Sequence, residues 1–226
     1  MIGIDWSYFL WIAPAFILSM WAQARTRSAY TAASQVRARL SGAGAARLLL
    51  DSAGLQNVEI EPIRGELTDH YDPRHKVLRL SEGVYGAHTM AAVGIAAHEA
   101  GHALQDAKQY APLVVRNLAV PAAQFGGGFS TLLLIAGLIM SFQPLILLGI
   151  AAFSAVVFFQ LVNLPVEFDA SNRAKAQLVD HQIVPVAEME HVNAVLNAAA
   201  WTYVAGALQA VLTLAYYLMR FGGSND

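Results

Sequence analysis

Four long apolar stretches constrain the fold of this chain more than any other feature. They cover residues 6–21, 118–140, 144–164 and 197–219. A helix needs about 20 apolar residues to cross the hydrocarbon core of a membrane, and the first stretch, a little short, is flanked by aromatic residues of the kind that settle at membrane interfaces. Because 56% of all residues are hydrophobic and only 13% are charged, the composition is also that of a membrane protein. We therefore expect a mainly α-helical integral membrane protein with four transmembrane helices.

Positive charge predicts which side of the membrane holds the polar parts of the chain. Of the 14 Lys and Arg residues, eleven lie in the polar segment 25–117, two lie in the segment 165–196, and only Arg220 follows the last apolar stretch. Short loops rich in Lys and Arg stay in the cytoplasm. We therefore expect both polar segments on the cytoplasmic face of a bacterial-type cytoplasmic (inner) membrane, and both termini on the other side.

Composition also excludes several classes of function. A net charge of −2 argues against a nucleic-acid partner, and the absence of cysteine excludes disulfides and thiolate metal sites. No internal repeat or low-complexity tract divides the chain, so we expect one domain, 1–226, whose oligomeric state the sequence leaves open. The residues Ala22-Gln23-Ala24 resemble a signal-peptidase site, but Asp5 and no cation precede the apolar stretch, which is unlike a signal peptide.

The first polar segment has the pattern of a small α+β unit. Apolar spacing predicts two helices, then two short strands separated by a turn at 69–73, then a helix ending near Lys108. Either Thr89 or Ser81 could cap that last helix. The predicted helices are 28–40 and 44–52, and the predicted strands are 57–63 and 76–80. An exposed strand edge next to a catalytic helix could bind an extended peptide through main-chain hydrogen bonds.

The clearest chemical signal is the run His98-Glu99-Ala100-Gly101-His102 inside the predicted helix. Histidines four residues apart lie on one face of a helix and can share one Zn²⁺ ion, which accepts neutral imidazole as a ligand. Glu99 is then left to take a proton from a water molecule at the open coordination position. The spacing predicts a catalytic zinc site that still needs a third ligand.

Two carboxylates could supply that third ligand, Glu167 and Asp169. Both follow the third apolar stretch and lie on the same predicted face of the membrane as the histidines. Pro165 predicts the start of a new or kinked helix there, which places Glu167 in its first turn. Spacing alone does not separate the two candidates.

The remaining polar candidates are not resolved by the sequence. Tyr71, Tyr85, Arg173 or one of the other histidines could donate a hydrogen bond to the developing oxyanion. As metal ligands the other five histidines are disfavoured, and we expect surface or turn positions for them. These are His70, His75, His88, His181 and His191.

Three motifs of the chain resemble a known family, the membrane zinc metallopeptidases of the YugP type, relatives of the HtpX and CAAX-prenyl-protease peptidases. They are the sequences LTDHYDP at 67–73, AAHEAGHALQ at 96–105 and LPVEFDAS at 164–171. The resemblance runs over nearly the whole chain. It implies a gluzincin-like zinc endopeptidase in which Glu167, the first residue of a Glu-x-x-x-Asp helix, is the third ligand. Ser171 stands where the relatives have that Asp, so the role of the Asp is either lost or taken by a hydroxyl.

We therefore expect a membrane zinc metallopeptidase that cleaves protein or peptide substrates at the cytoplasmic face. His98, His102 and Glu167 would hold Zn²⁺, and Glu99 would be the general base. One alternative is a non-catalytic membrane protein whose structural zinc site assembles a partner complex, with His70 or His88 closing the fourth position. Another is an intramembrane protease of the site-2 type, which would need the zinc motif inside a span.

Overall fold

The computed structural model describes residues 6–223, and the chain is mainly helical, 76%, with one three-stranded sheet. The helices are α1 (Trp6–Ser34), α2 (Gly42–Ser52), α3 (Glu82–Tyr85), α4 (Met90–Ala107), α5 (Ala111–Ile139), α6 (Gln143–Asp180) and α7 (Met189–Phe221). The strands are β1 (Glu59–Ile63), β2 (His70–Asp72) and β3 (Val77–Ser81). Both termini, which we expected on the outer side of the membrane, lie outside the described residues.

Among the described residues, three helical segments are long and apolar enough to cross a membrane. They are Ala111–Ile139, Gln143–Asp180 and Val186–Phe221. These segments contain the predicted spans 118–140, 144–164 and 197–219, except for Met140 at the end of the first span. Their apolar side chains face outward, as lipid contact requires: Phe125 is 78% exposed and Leu132 is 68% exposed. The fourth predicted span, 6–21, is not among these segments and stays a prediction.

Helix α1 is longer than expected and lies antiparallel to α7. Near its start, Trp11 donates a hydrogen bond from Nε1 to the Leu212 carbonyl, 2.8 Å away. Farther along, the rings of Trp21 and Trp201 meet edge to face at 5.7 Å. The first stretch, 6–21, therefore runs beside the apolar half of α7.

The prediction of a separate helix over 28–40 is wrong, because α1 continues from residue 6 to Ser34. No glycine or proline interrupts the helix between its apolar part and Ser34. It ends where the chain pairs with the segment before α4. The Ala38 amide donates to the His88 carbonyl at 3.0 Å, and the Met90 amide donates to the Val36 carbonyl at 2.9 Å.

The sheet confirms the two predicted strands and corrects the turn between them. β1 pairs with β3 in parallel, β2 pairs with β3 antiparallel, and the order β1-β3-β2 leaves β2 at an edge. The predicted turn at 69–73 is wrong, since 70–72 form β2. The turn follows it: Asp72 accepts a hydrogen bond from the Arg74 amide at 2.9 Å, and Lys76 takes a positive φ of 55°.

Helix α4 is the centre of the core and carries the zinc motif. Thr89 caps it by accepting a hydrogen bond from the Ala92 amide at 3.2 Å, so Thr89 and not Ser81 fills that role. Almost all of α4 is buried, against α2, α6, α7 and the sheet. A Cβ atom at Gly101 would lie 2.7 Å from the Ala170 carbonyl oxygen of α6, so the two helices approach this closely only with glycine there.

Helix α6 is one continuous helix of 38 residues with Pro165 inside it. The structure therefore excludes a new helix at Pro165, and the alternative of a kinked helix stays a prediction. Proline removes one backbone N–H and one intrahelical hydrogen bond, a loss of about 3 kcal/mol in an isolated helix. Here the flanking turns are held by packing against α4 and α7. Glu167 consequently lies in a helix interior and is carried rigidly by the apolar segment before it.

Candidate metal centre

Two helices bring three metal-binding side chains together where α4 crosses α6. His98 and His102 lie one turn apart on α4, on either side of Gly101, and Glu167 lies next to Ala170 on α6. The Oε2 atom of Glu167 is 3.3 Å from His98 Nε2 and 3.6 Å from His102 Nε2. All three ligand atoms lie within 4.8 Å of one another, and among the described residues this is the group that could hold a metal ion.

The donor set fits a catalytic zinc site. Two imidazole nitrogens and one carboxylate oxygen leave one tetrahedral position open. The side chains of His98, His102 and Glu167 are only 12%, 11% and 6% exposed, so a bound cation would be largely shielded from water. Burial lowers the pKa of His102, but the hydrogen bond to Glu167 and the negative charges of Glu99 and Glu167 outweigh it and raise that pKa above its usual value. The cluster therefore attracts positive charge.

The outward-facing nitrogen of His102 is held by Gln105. The Gln105 side-chain nitrogen donates to the Val166 carbonyl and to Asp169 Oδ2, both at 2.8 Å. Its oxygen is thereby turned toward His102 Nδ1, which lies 2.9 Å away and donates to it. That contact puts the proton on Nδ1 and leaves Nε2 free for a metal ion.

Asp169, the competing candidate for third ligand, does not belong to the metal group. Its carboxylate accepts hydrogen bonds from Gln105 and from Arg173, which also lies over the Tyr110 ring at 5.6 Å. Asp169 thus supports the residue that orients His102.

Ser171, at the position where the resemblance implies an Asp, lies one turn after Glu167. Its hydroxyl lies 3.1 Å from His98 Nδ1 and is buried, so a hydroxyl now contacts the ring where a carboxylate was expected. A neutral hydroxyl accepts the same N–H proton as a carboxylate would, but it makes the imidazole less electron-rich.

Glu99 is held by the edge strand of the sheet. Its Oε2 atom accepts a hydrogen bond from the Tyr71 backbone amide at 3.1 Å, and the Glu99 side chain is buried beside the cluster. The Tyr71 hydroxyl, one of the expected oxyanion donors, is engaged elsewhere, since it donates to Asp106 at 2.7 Å. Burial raises the pKa of Tyr71, and the Asp106 carboxylate raises it further. Tyr71 serves the site through its backbone.

The other predicted polar residues lie outside the metal group. His70 contacts the Thr68 carbonyl, His75 pairs with Asp72, and His181 contacts Gln177. His88 and His191 likewise lie outside the group that could hold a metal ion. Tyr85 packs against the core cluster, and Arg173 is paired with Asp169.

A cavity of about 220 Å³ opens directly beside His98 and Glu99. Its walls come from α1, α4, α6, α7 and the segment between β1 and β2. Tyr203 of α7 lines it as well. Neither Tyr203 nor Gln105 was singled out from the sequence. For Gln105 a signal existed, because it lies one turn after His102 on the same helix.

Comparisons with known proteins agree with these observations. The sequence profile of a family described as "Putative neutral zinc metallopeptidase" matches residues 8–222. The curated "Putative membrane protease YugP" of Bacillus subtilis (strain 168) is 46% identical over 220 residues, which cover 96% of this chain and 97% of that protein. No solved structure matches the chain.

Proposed function

Since this chain belongs to the neutral zinc metallopeptidase family, we propose that it is a membrane-bound zinc endopeptidase that hydrolyses peptide bonds at the cytoplasmic face of the membrane. The observation that carries the proposal is the meeting of His98, His102 and Glu167 next to a buried Glu99. Two imidazoles, one carboxylate ligand and a separate carboxylate base are the parts that zinc-assisted hydrolysis requires.

In this proposal His98, His102 and Glu167 hold the ion. When bound, zinc supplies a Lewis acid that polarises the scissile carbonyl and lowers the pKa of a water molecule toward about 7. Glu99 takes the proton from that water and delivers it to the departing amine. The hydrogen bond from the Tyr71 amide fixes one oxygen of Glu99 and leaves the other for the proton.

We assign to Tyr203 the hydrogen bond that stabilises the oxyanion of the reacting carbonyl. The support is that Tyr203 lines the cavity beside His98 and Glu99. Such a donor typically contributes about 10²- to 10³-fold to kcat. Of the oxyanion donors suggested by the sequence, Tyr71 and Arg173 are engaged by Asp106 and Asp169.

The sheet supports a peptide as substrate. β2 is an edge strand, and it contacts the catalytic helix α4 through Tyr71 and Glu99. An extended peptide can add to such an edge through main-chain hydrogen bonds, largely independent of its side chains. This arrangement is consistent with protein or peptide substrates.

Two observations support the proposed topology of four spans with a cytoplasmic site. The stretch 6–21 runs antiparallel to α7, so it would lie at the same depth if α7 crosses the membrane. The Lys and Arg residues of segments 25–117 and 165–196 lie on the same end of the helices as the metal cluster.

The two alternatives have less support. A structural zinc site needs a fourth protein ligand, and the candidates His70 and His88 do not belong to the metal group. A site-2-type protease needs its zinc motif within a span, and α4 is not among the described helices apolar and long enough to cross.

The test is a comparison of three purified proteins: wild type, Glu99→Gln, and Glu188→Gln, which changes an exposed glutamate outside the site. Each is incubated with a fluorescent unfolded protein, with and without a zinc chelator. We expect cleavage by the wild type and by Glu188→Gln, abolished by the chelator and restored by zinc. Glu99→Gln should retain zinc and lose cleavage. Cleavage by Glu99→Gln at the wild-type rate would disprove the mechanism.

A further inference from the structure

The cavity beside His98 and Glu99 has both polar and apolar lining residues. The charged ones include Arg27, which is exposed, and Asp69. Asp69 is already bound: its carboxylate accepts hydrogen bonds from the Ser81 amide at 2.7 Å and from the Ser81 hydroxyl at 3.0 Å. The charges of these two lining residues are thus either in water or compensated.

Most of the lining surface is apolar. Helix α7 contributes four aliphatic residues, in two pairs one turn apart, and α4 and the segment between β1 and β2 contribute one each. These residues are Val195, Leu196, Ala199, Ala200, Ile95 and Leu67. A charged side chain placed there would lose its water without gaining a partner, whereas an apolar side chain would gain burial.

The size of the cavity limits what it can hold. Pockets for whole small-molecule ligands usually measure about 300–1,000 Å³, and this one measures about 220 Å³. It is suited to a single large side chain. Ala199 has only a methyl group at the wall, so a larger side chain there would reduce the volume of the cavity.

We propose that this cavity is the principal specificity pocket of the enzyme, which binds one large apolar side chain, of the Leu, Ile, Met or Phe class, from a residue flanking the scissile bond. Ala199 and Ile95 set its depth. The inference rests on the proposed peptidase function, and it adds the substrate class. Val195 and Leu196 belong to the buried core, so this part of the wall is rigid and its shape can discriminate between substrates.

The experiment maps cleavage sites by mass spectrometry in a complex mixture of synthetic peptides. It compares the wild type with Ala199→Phe, which fills the cavity, and with Ile95→Ala, which enlarges it. Ala194→Phe is the matched control, because Ala194 is on the same helix but exposed and away from the cavity. Glu99→Gln identifies cleavages that depend on the site. Zinc content and cleavage of peptides with small flanking residues report whether each variant is folded.

We expect wild-type cleavage to favour a large apolar residue at one flanking position by about 10-fold or more over alanine, in line with the discrimination that a hydrophobic pocket supplies. Ala199→Phe should remove most of this preference while peptides with small residues are still cut. Ile95→Ala should shift the preference toward bulkier side chains, and Ala194→Phe should change nothing.

The experiment distinguishes a failure of the pocket inference from a failure of the proposed peptidase function. If the wild type shows cleavage that depends on Glu99 but no apolar preference, or if Ala199→Phe keeps the wild-type preference, the pocket inference is wrong and the peptidase function stands. If no cleavage depends on Glu99, the proposed function itself is wrong, and the inference falls with it. Should Ala199→Phe lose its zinc, Ile95→Ala decides the inference by whether its preference shifts.

Discussion

The side-chain oxygen of Gln105 lies 2.9 Å from Nδ1 of His102, and the Gln105 nitrogen is fixed by the Val166 carbonyl and by Asp169. One amide thus connects a metal-binding histidine on α4 to the backbone and to a carboxylate of α6. Because the nitrogen end has two acceptors, the oxygen end must face the histidine. This contact sets the orientation of the ring before any metal ion arrives.

Replacing Gln105 by leucine should weaken zinc binding by about 10- to 100-fold, the usual cost of losing a residue that orients a ligand histidine. The measurement is competition for zinc against a chromophoric chelator. Gln56→Leu, at an exposed glutamine far from the site, is the control and should bind zinc like the wild type. Unchanged zinc affinity in Gln105→Leu would show that the ring is oriented without this amide.

Glu167 and Asp169 should differ when each is changed to alanine. Glu167→Ala removes an atom of the metal group, so its zinc content after dialysis should fall well below one ion per chain. Asp169→Ala removes only a partner of Gln105 and Arg173, so it should still take up one zinc ion at saturation, with reduced affinity. Elemental analysis measures both. The reverse result would make Asp169 the third ligand.

Tyr203→Phe should lower kcat by about 100-fold or more, with little change in KM, because the hydroxyl is needed mainly as charge develops on the oxyanion. Zinc content should stay at the wild-type level. Tyr30→Phe removes a hydroxyl from another tyrosine of the same cavity and should be close to wild type. Loss of zinc in Tyr203→Phe would instead mean that Tyr203 acts by positioning Glu167.

The absence of cysteine from the chain allows a direct test of topology. Single cysteines at Glu66 and Glu188 would report on the two polar segments, and one at Ser141 would report on the connection between α5 and α6. In intact cells, a membrane-impermeant maleimide should label Ser141→Cys alone. Glu66→Cys and Glu188→Cys should react only after the membrane is opened. Labelling of Glu66→Cys from outside would place the metal site on the other face.

Much of the site could be predicted because its information is local. His98 and His102 are four residues apart on a helix whose apolar pattern and Thr89 cap are both visible in the sequence, so their common face follows from helical geometry. Three of the four apolar stretches coincide with helices apolar and long enough to cross, since length and hydropathy are properties of a segment alone. Glu167 was favoured over Asp169 only by resemblance to a family.

Contacts between distant segments determined the parts of the fold that local sequence did not predict. Residues 70–72 have the composition of a turn, yet they form β2 because β3 supplies the hydrogen bonds of a sheet. Pro165 has the character of a helix start, yet α6 passes through it because packing on both sides compensates for one lost hydrogen bond. Local propensity is worth about 1 kcal/mol or less for most residues, and tertiary contacts override it.

The order of residues alone predicts helices apolar enough for a membrane, and one helix that carries two histidines and a glutamate in metal-binding spacing. The packing of the helices places Gln105 against His102, Ser171 against His98, and Tyr203 on the wall of the cavity. It also produces the close crossing at Gly101 that joins α4 to α6. The reason is physical: periodicity fixes which side chains share a face of one helix, whereas the distance between side chains of different helices depends on how those helices pack.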